Sequence, residues 1–169
     1  MKITAPILLV ALAAALSHPA PVAAGEGNPP APAPAAAAPA PAAAARAVSA
    51  LNGVRARHGL SALRRSARLD RAARAQADWM ARTGRIGHRG AGGSSPLNRV
   101  RAAGYGACYA AENVALGPAG GEAAVRLWLA SAGHRRNALS RRAGEVGAAA
   151  LRDARGRPVW VMVFGAPCA

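Results

Sequence analysis

Few side chains in this sequence are equipped for acid–base or ligand chemistry. Its histidines are His18, His58, His88 and His134, and its cysteines are Cys108 and Cys168. An imidazole titrates near neutral pH and also binds metals, so each histidine merits a role or a reason for having none. His134 lies in Ser131-Ala-Gly-His-Arg-Arg-Asn-Ala-Leu139, between an apolar run around Trp128 and a second helix-like run. It is either a ligand or acid/base, or part of a break in which Gly133-His134 ends one helix and Asn137 helps start the next turn. His58 precedes Gly59 at an expected helix end, where an imidazolium favours the negative terminus, and it reads as structural.

The cysteine pair has two readings. In an oxidising compartment an isolated pair forms one disulfide, here joining the middle of the domain to the chain end across 60 residues. Loop-entropy arguments put such a link at up to about 4 kcal/mol. A nucleophilic cysteine is the alternative, but neither cysteine has a histidine near it in sequence.

These residues need a scaffold. Met1-Lys2 followed by the apolar run Ala5 to Leu16 and the small residues Val22-Ala23-Ala24 has the form of a secretory signal, cut near Ala24 and taking His18 with it. The run falls short of the roughly 20 apolar residues of a membrane span, so the mature chain is expected to have none. Residues 25–45 are almost entirely alanine and proline and read as a disordered tether. The folded part is then 46–169, one modest domain.

Within it, Val48, Leu51 and Val54 mark an amphipathic helix that ends at His58-Gly59. A longer helix runs from Ser66 to Thr83, with Leu69, Ala72, Ala73, Gln76 and Met80 on one face and Gly84 as its stop. A glycine-rich segment with His88 follows. Ser95-Pro96 then opens a short helix that Gly104 closes. Tyr105 to Leu116 reads as extended, and Glu122 to Ser131 as helical. The alternating runs Val146/Ala148/Ala150 and Val159/Val161/Val163, joined at Asp153 to Gly156, make a hairpin. Trp79, Trp128 and Trp160 all fall in apolar segments and read as core. Helices with a late, small sheet define an α+β class. No internal repeat and no phosphate-binding loop is present.

The charge is lopsided, with Lys+Arg 22 against Asp+Glu 7 and a net charge of +15. Lys2 is the only lysine. The arginines are scattered without interleaved aromatics, which argues against nucleic acid as a partner. Arg135, Arg136, Arg141 and Arg142 form a local cluster that reads as a solvated face, or else as a contact for an anionic envelope polymer or lipid headgroup.

In order, the chain presents Leu51-Asn52-Gly-Val-Arg55-Ala-Arg-His58-Gly59-Leu60, then Gly87-His88, Gly93-Ser-Ser-Pro96 and Arg99. Ala103-Gly-Tyr105 and Glu112-Asn113-Val114-Ala115 come next. Trp128-Leu-Ala-Ser131-Ala-Gly-His134-Arg-Arg-Asn137-Ala-Leu139 and Val159-Trp-Val-Met-Val-Phe164-Gly165 complete the series. This ordered set, over nearly all of 46–165, resembles the bacterial secreted branch of the CAP superfamily, which includes cysteine-rich secretory proteins, antigen five and plant pathogenesis-related class one proteins. The resemblance implies an α–β–α sandwich with a small, mainly antiparallel sheet between helices. It also implies a central cleft and a secreted, periplasmic or cell-envelope location for a monomeric chain.

In eukaryotic members two histidines and two acidic residues line the cleft and hold a divalent metal. His88 and Glu112 match the first histidine and the strand glutamate. Ser131 stands where the second acidic residue would be, and the late strands hold no second histidine, which leaves His134 as a substitute. The resemblance thus admits a weak, open site for zinc or another divalent cation at His88, Glu112 and His134. The same three are the candidate acid/base residues. His88 with Glu112 would serve as a general-base pair for peptide or ester hydrolysis. Ser94 and Ser95, close by in sequence, fit better as the cap of the next helix than as a nucleophile. The expected role is binding of a small molecule, lipid or sterol, or peptide in the cleft, with hydrolysis as the rival.

Overall fold

A computed structural model describes residues 40–168. The expected signal segment 1–24 and most of the Ala/Pro tether lie outside the described residues.

Helix α1 spans Ala40–Arg57 and therefore begins inside the segment expected to be a tether. Alanine has the highest intrinsic helix propensity, and Pro41 falls in the first turn, where a missing N–H costs nothing. Packing completes the argument: Ala44, Ala47, Val48, Leu51 and Arg55 recur at helical spacing and are all buried. Helix α2, Ala67–Thr83, buries Leu69, Ala72, Ala73, Gln76, Ala77 and Met80 and stops at Gly84, whose φ of 69° is the left-handed closing conformation. Helix α3, Pro96–Ala102, is opened by a reciprocal capping box between Ser95 and Asn98. Two further helices follow, α4 over Gly121–Ala130 and α5 over Ala132–Ala138. The break between them is at Ser131, which is extended at φ −101° and ψ 124°. Gly133 and His134 lie inside α5 and do not form the break.

Four strands, β1 (Arg64–Arg65), β2 (Ala107–Leu116), β3 (Glu145–Arg152) and β4 (Pro158–Pro167), form one sheet in the order β1-β3-β4-β2. The β3–β4 hairpin pairs antiparallel from Glu145↔Gly165 to Arg152↔Pro158, and β2 pairs antiparallel with the other side of β4. Only the two-residue β1 runs parallel to its neighbour. The sheet is thus mainly antiparallel.

The period of two along β4 builds two cores. Trp160, Met162 and Phe164 point to one side, packed with Leu51 of α1 and Val125 and Trp128 of α4. Val159, Val161 and Val163 point to the other, against Leu69, Ala73 and Met80 of α2 and Val100 of α3. Burying each such large apolar side chain contributes about 1.5–3 kcal/mol. The result is the α–β–α sandwich that the sequence implies, with one hydrophobic layer on each face of the sheet.

Cys108 and Cys168 are joined in a disulfide with Cα atoms 4.8 Å apart, and Cys168 N donates to Gly106 O at 2.9 Å. The bridge ties the start of β2 to the chain end, so the structural reading of the pair holds.

Candidate functional site

Glu112 lies in the buried stretch of β2, with its side chain 1% exposed. A carboxylate placed there must be paired and hydrogen-bonded. Two groups meet it. Arg99 Nη2 donates to Oε2 at 2.7 Å, and His88 Nδ1 lies 3.0 Å from Oε1. Because the carboxylate accepts, Nδ1 carries the hydrogen, and Nε2 is left on the outer edge of a half-exposed ring. Arg99 reaches this position from α3, whose capped and proline-started first turn fixes its direction toward β2.

His88 itself sits on an irregular loop between α2 and α3, so its position depends on side chains that grip the backbone. Gln76 Nε2, from the buried face of α2, donates to Gly87 O at 2.6 Å and lies 3.5 Å from Arg89 O. Arg99 Nη2 also donates to His88 O at 3.1 Å, and Arg99 Nη1 to Ser94 O at 2.7 Å. Consecutive loop carbonyls are therefore held by two buried side chains, one of which also anchors the carboxylate that holds the ring. Gly90 completes the arrangement. A Cβ there would stand 2.3 Å from Gln76 Oε1 and 2.9 Å from Arg99 Nη1, pressing on both anchors at once.

His134 approaches from the opposite side on α5, its ring centroid 6.4 Å from that of His88 at an inclination of 57°. At seven residues, α5 is too short to be stable alone. It is held by amide side chains. Asn113 Nδ2 donates to His134 O at 3.0 Å, and Asn137 Nδ2 donates to Asn113 Oδ1 at 3.0 Å and to Glu112 O at 3.2 Å. Arg55, buried in α1, donates Nη1 to Ala138 O at 2.9 Å and Ser140 O at 3.0 Å, and Nε to Ser61 O at 3.0 Å.

The structure thus puts His88 in contact with Glu112 and the His134 ring 6.4 Å from that of His88. The two imidazoles are biased in opposite directions. The hydrogen bond to Glu112 raises the His88 pKa against a smaller lowering by burial. Burial, and then the nearby His88, lower that of His134.

The expected metal site fares differently. Both Glu112 oxygens are engaged, one by a guanidinium that stays charged at any working pH. Among the described residues no group of three or more His, Cys, Asp or Glu side chains is placed to hold a metal ion. The residues present do not fit a divalent cation.

A nucleophile is also not brought up. Ser95 is the cap of α3, Ser94 Oγ lies 3.4 Å from Arg99 Nη1, and both cysteines are in the disulfide. Ser131 Oγ makes no cap hydrogen bond to α5.

The sequence reading missed the two anchors, Gln76 and Arg99. A signal for Gln76 was present, because an amide on the otherwise apolar face of α2 must find partners once buried. Trp79, expected in the core, packs against its α2 side but stays partly open. Trp128 and Trp160 are buried, their indole N–H groups donating to Val114 O at 3.0 Å and Pro118 O at 2.9 Å. Trp79 is only partly buried and lines a surface groove of about 680 Å³ together with His88.

This sandwich is shared with solved bacterial proteins, among them one that contains an SCP domain. The chain belongs to the CAP family, the cysteine-rich secretory protein family, whose sequence profile matches residues 48–164. Its fold matches that of an extracellular SCP-domain protein of Bacillus anthracis, with a TM-score of 0.67 and 22% identity over 75% of this chain and 41% of that one. An outer surface protein of Borrelia burgdorferi matches with a TM-score of 0.67 and 21% identity over 72% of this chain and 90% of that one. A cysteine-rich secretory protein of Staphylococcus aureus gives 0.62 and 18% over 76% and 40%. The chain therefore spans about two-fifths of the Bacillus and Staphylococcus proteins. No curated protein matches it. Among the described residues no helix is long and apolar enough to cross a membrane.

Proposed function

We propose that this protein is a secreted binding module whose ligand seats in the cleft over His88. The observation that carries the reading is the rigidity of His88. Its ring is bonded to a buried, doubly paired carboxylate and its backbone is gripped on either side, yet half of its side chain faces solvent. Preorganising a polar group at a surface lowers the ordering cost of binding. The signal-like start of the sequence and the extracellular or outer-surface description of two of the structural relatives support secretion. In this reading the signal is cut near Ala24, and residues 25–39 tether the domain.

The reading is tested by NMR titration of the labelled chain against a library of small organic molecules. Ligands should shift the His88 ring signals and Gly87 and Gly90 amides, and His88→Ala should weaken binding at least about tenfold while the fold persists. Ligands that bind equally well to that variant would refute it.

A hydrolytic reading draws on the same 3.0 Å His88–Glu112 bond, which is the geometry a general base uses. It requires ester or peptide turnover that disappears in His88→Ala. Turnover that is equal in that variant, or absent from the parent, removes it.

A further inference from the structure

The groove beside His88 is cationic and apolar at once. Trp79 and Ile86 supply its apolar face, and Arg85, Arg89 and His88 its polar side chains. Ile86 is 45% exposed, among the few large hydrophobic side chains left so open in the described residues. No acidic residue lines the groove. Among the described residues, no carboxylate is left without an arginine neighbour either. Every aspartate and glutamate among the described residues already has an arginine within ion-pair distance: Asp70 with Arg65, Asp78 with Arg74, Glu112 with Arg99, Glu122 with Arg126, Glu145 with Arg64 and Asp153 with Arg157. Among the described residues Arg85 has no such partner, and the Arg89 side chain reaches only the carbonyl of Gly93 at 3.3 Å.

We infer that this groove binds a small organic anion, a carboxylate or phosphate carried on a flat body that lies against Trp79. Guanidinium forks match the planar edge of a carboxylate and the oxygens of a phosphate, and they stay charged at any working pH. The indole and Ile86 offer the apolar contact area that a small-ligand site needs. The loop that carries Arg85 and Arg89 is fixed by Gln76 and Arg99 through the carbonyls between them, so the two charges are presented on a braced segment. The inference deepens the cleft-binding reading and rests on it. It also reverses the chemistry a metal-binding cleft would have: the one carboxylate at this site is turned inward and neutralised, and what faces the groove is positive.

The test is NMR titration of the full chain, following the Trp79 indole N–H and the Gly87 and Gly90 amides. The probes are benzoate and phenyl phosphate, with benzyl alcohol as the neutral and benzylammonium as the cationic analogue, and zinc chloride alone. Both anions should shift these signals at concentrations at least about tenfold below the neutral and cationic analogues. The tighter of the two identifies carboxylate or phosphate as the preferred head. Arg85→Gln with Arg89→Gln should weaken anion binding about tenfold or more. Arg152→Gln with Arg155→Gln, which removes the same charge near the β3–β4 turn, should leave it within about twofold. Equal loss in the two double variants would mean general charge attraction and overturn the inference. Benzylammonium, benzyl alcohol or zinc binding as tightly as the anions would overturn it while leaving a cleft-binding role standing. Silence toward every probe would also overturn the inference, while the library titration with His88→Ala decides the cleft-binding reading separately.

Discussion

The protein fixes its two neighbouring histidines by different means. His88 stands on a loop with no regular hydrogen-bond ladder, and the protein fixes it through its ring, by Glu112, and through its neighbours' carbonyls, by Gln76 and Arg99. His134 stands on a short helix, and the protein fixes the helix backbone through Asn113, Asn137 and Arg55, while its side chain makes no hydrogen bond among the described residues. One imidazole is oriented and charge-stabilised; the other is only positioned. Each side also uses a buried arginine. Arg99 has a carboxylate partner, whereas Arg55 has only carbonyl acceptors, and its burial pushes its pKa down.

That contrast can be broken most sharply at Arg99. Arg99→Met would leave Glu112 buried without its guanidinium, which typically costs about 3–5 kcal/mol. Urea denaturation should show the loss, and hydrogen exchange should show the loop around His88 opening before α5. An unchanged midpoint would end the claim that Arg99 anchors the site.

Arg55→Met should cost less, about 1–3 kcal/mol, because it strands the buried carbonyl of Ala138 and the partly buried bonds to Ser61 and Ser140, and no charged partner. Here exchange should quicken in α5 while the His88 loop stays protected. Simultaneous opening of both regions would show that the two sides are a single unit and not two.

Asn113→Ala removes one link to His134 O and one acceptor for Asn137, for about 1–3 kcal/mol. The His134 ring signals should move and those of His88 should stay near their positions. The reverse pattern would misassign the amide's role.

The smallest effect is on protonation. His88 should titrate above the ordinary imidazole value of 6.5 and His134 below it. For His88 the folded state favours the charged form, so its contribution to stability is full below pH 6.5 and fades as pH rises through its folded value. For His134 the folded state favours the neutral form, so its contribution is present above pH 6.5 and is lost as pH falls through its folded value. The two windows lie on opposite sides of pH 6.5, so the contributions do not cancel and stability falls away from it in both directions. In Glu112→Gln the main cause of the upward shift disappears, and the two values should draw together in an NMR titration. Values that stay apart would show that Glu112 does not set the difference.

Much of the architecture was legible in the amino-acid order. The apolar face Leu69/Ala72/Ala73/Met80, the Gly84 stop, the Ser95-Pro96 start and the β3–β4 alternation each carry a local physical signal, and each element formed where its signal lay. The start of α1 was hidden because alanine and proline signal a tether locally, and only burial of Ala44 and Ala47 against the rest of the fold selects helix. The end of α4 at Ser131 agrees with the helical reading of Glu122 to Ser131, while the open choice at Gly133-His134 is settled by their place inside α5. At the site, residue type nominated His88, Glu112 and His134, but nothing local linked Gln76 or Arg99 to His88.

What the sequence determined by itself was therefore the elements other than the two-residue β1, the disulfide pair and the few side chains able to do chemistry, because these follow from periodicity, turn chemistry and the scarcity of histidine and cysteine. What the tertiary structure decided was the charge of the cleft. Whether Glu112 faces a metal or an arginine depends on which side chains arrive within 3 Å of its oxygens, and those come from α3 and the loop before it. Burial then made that pairing obligatory, since a carboxylate excluded from water must be neutralised by whatever the fold brings to it.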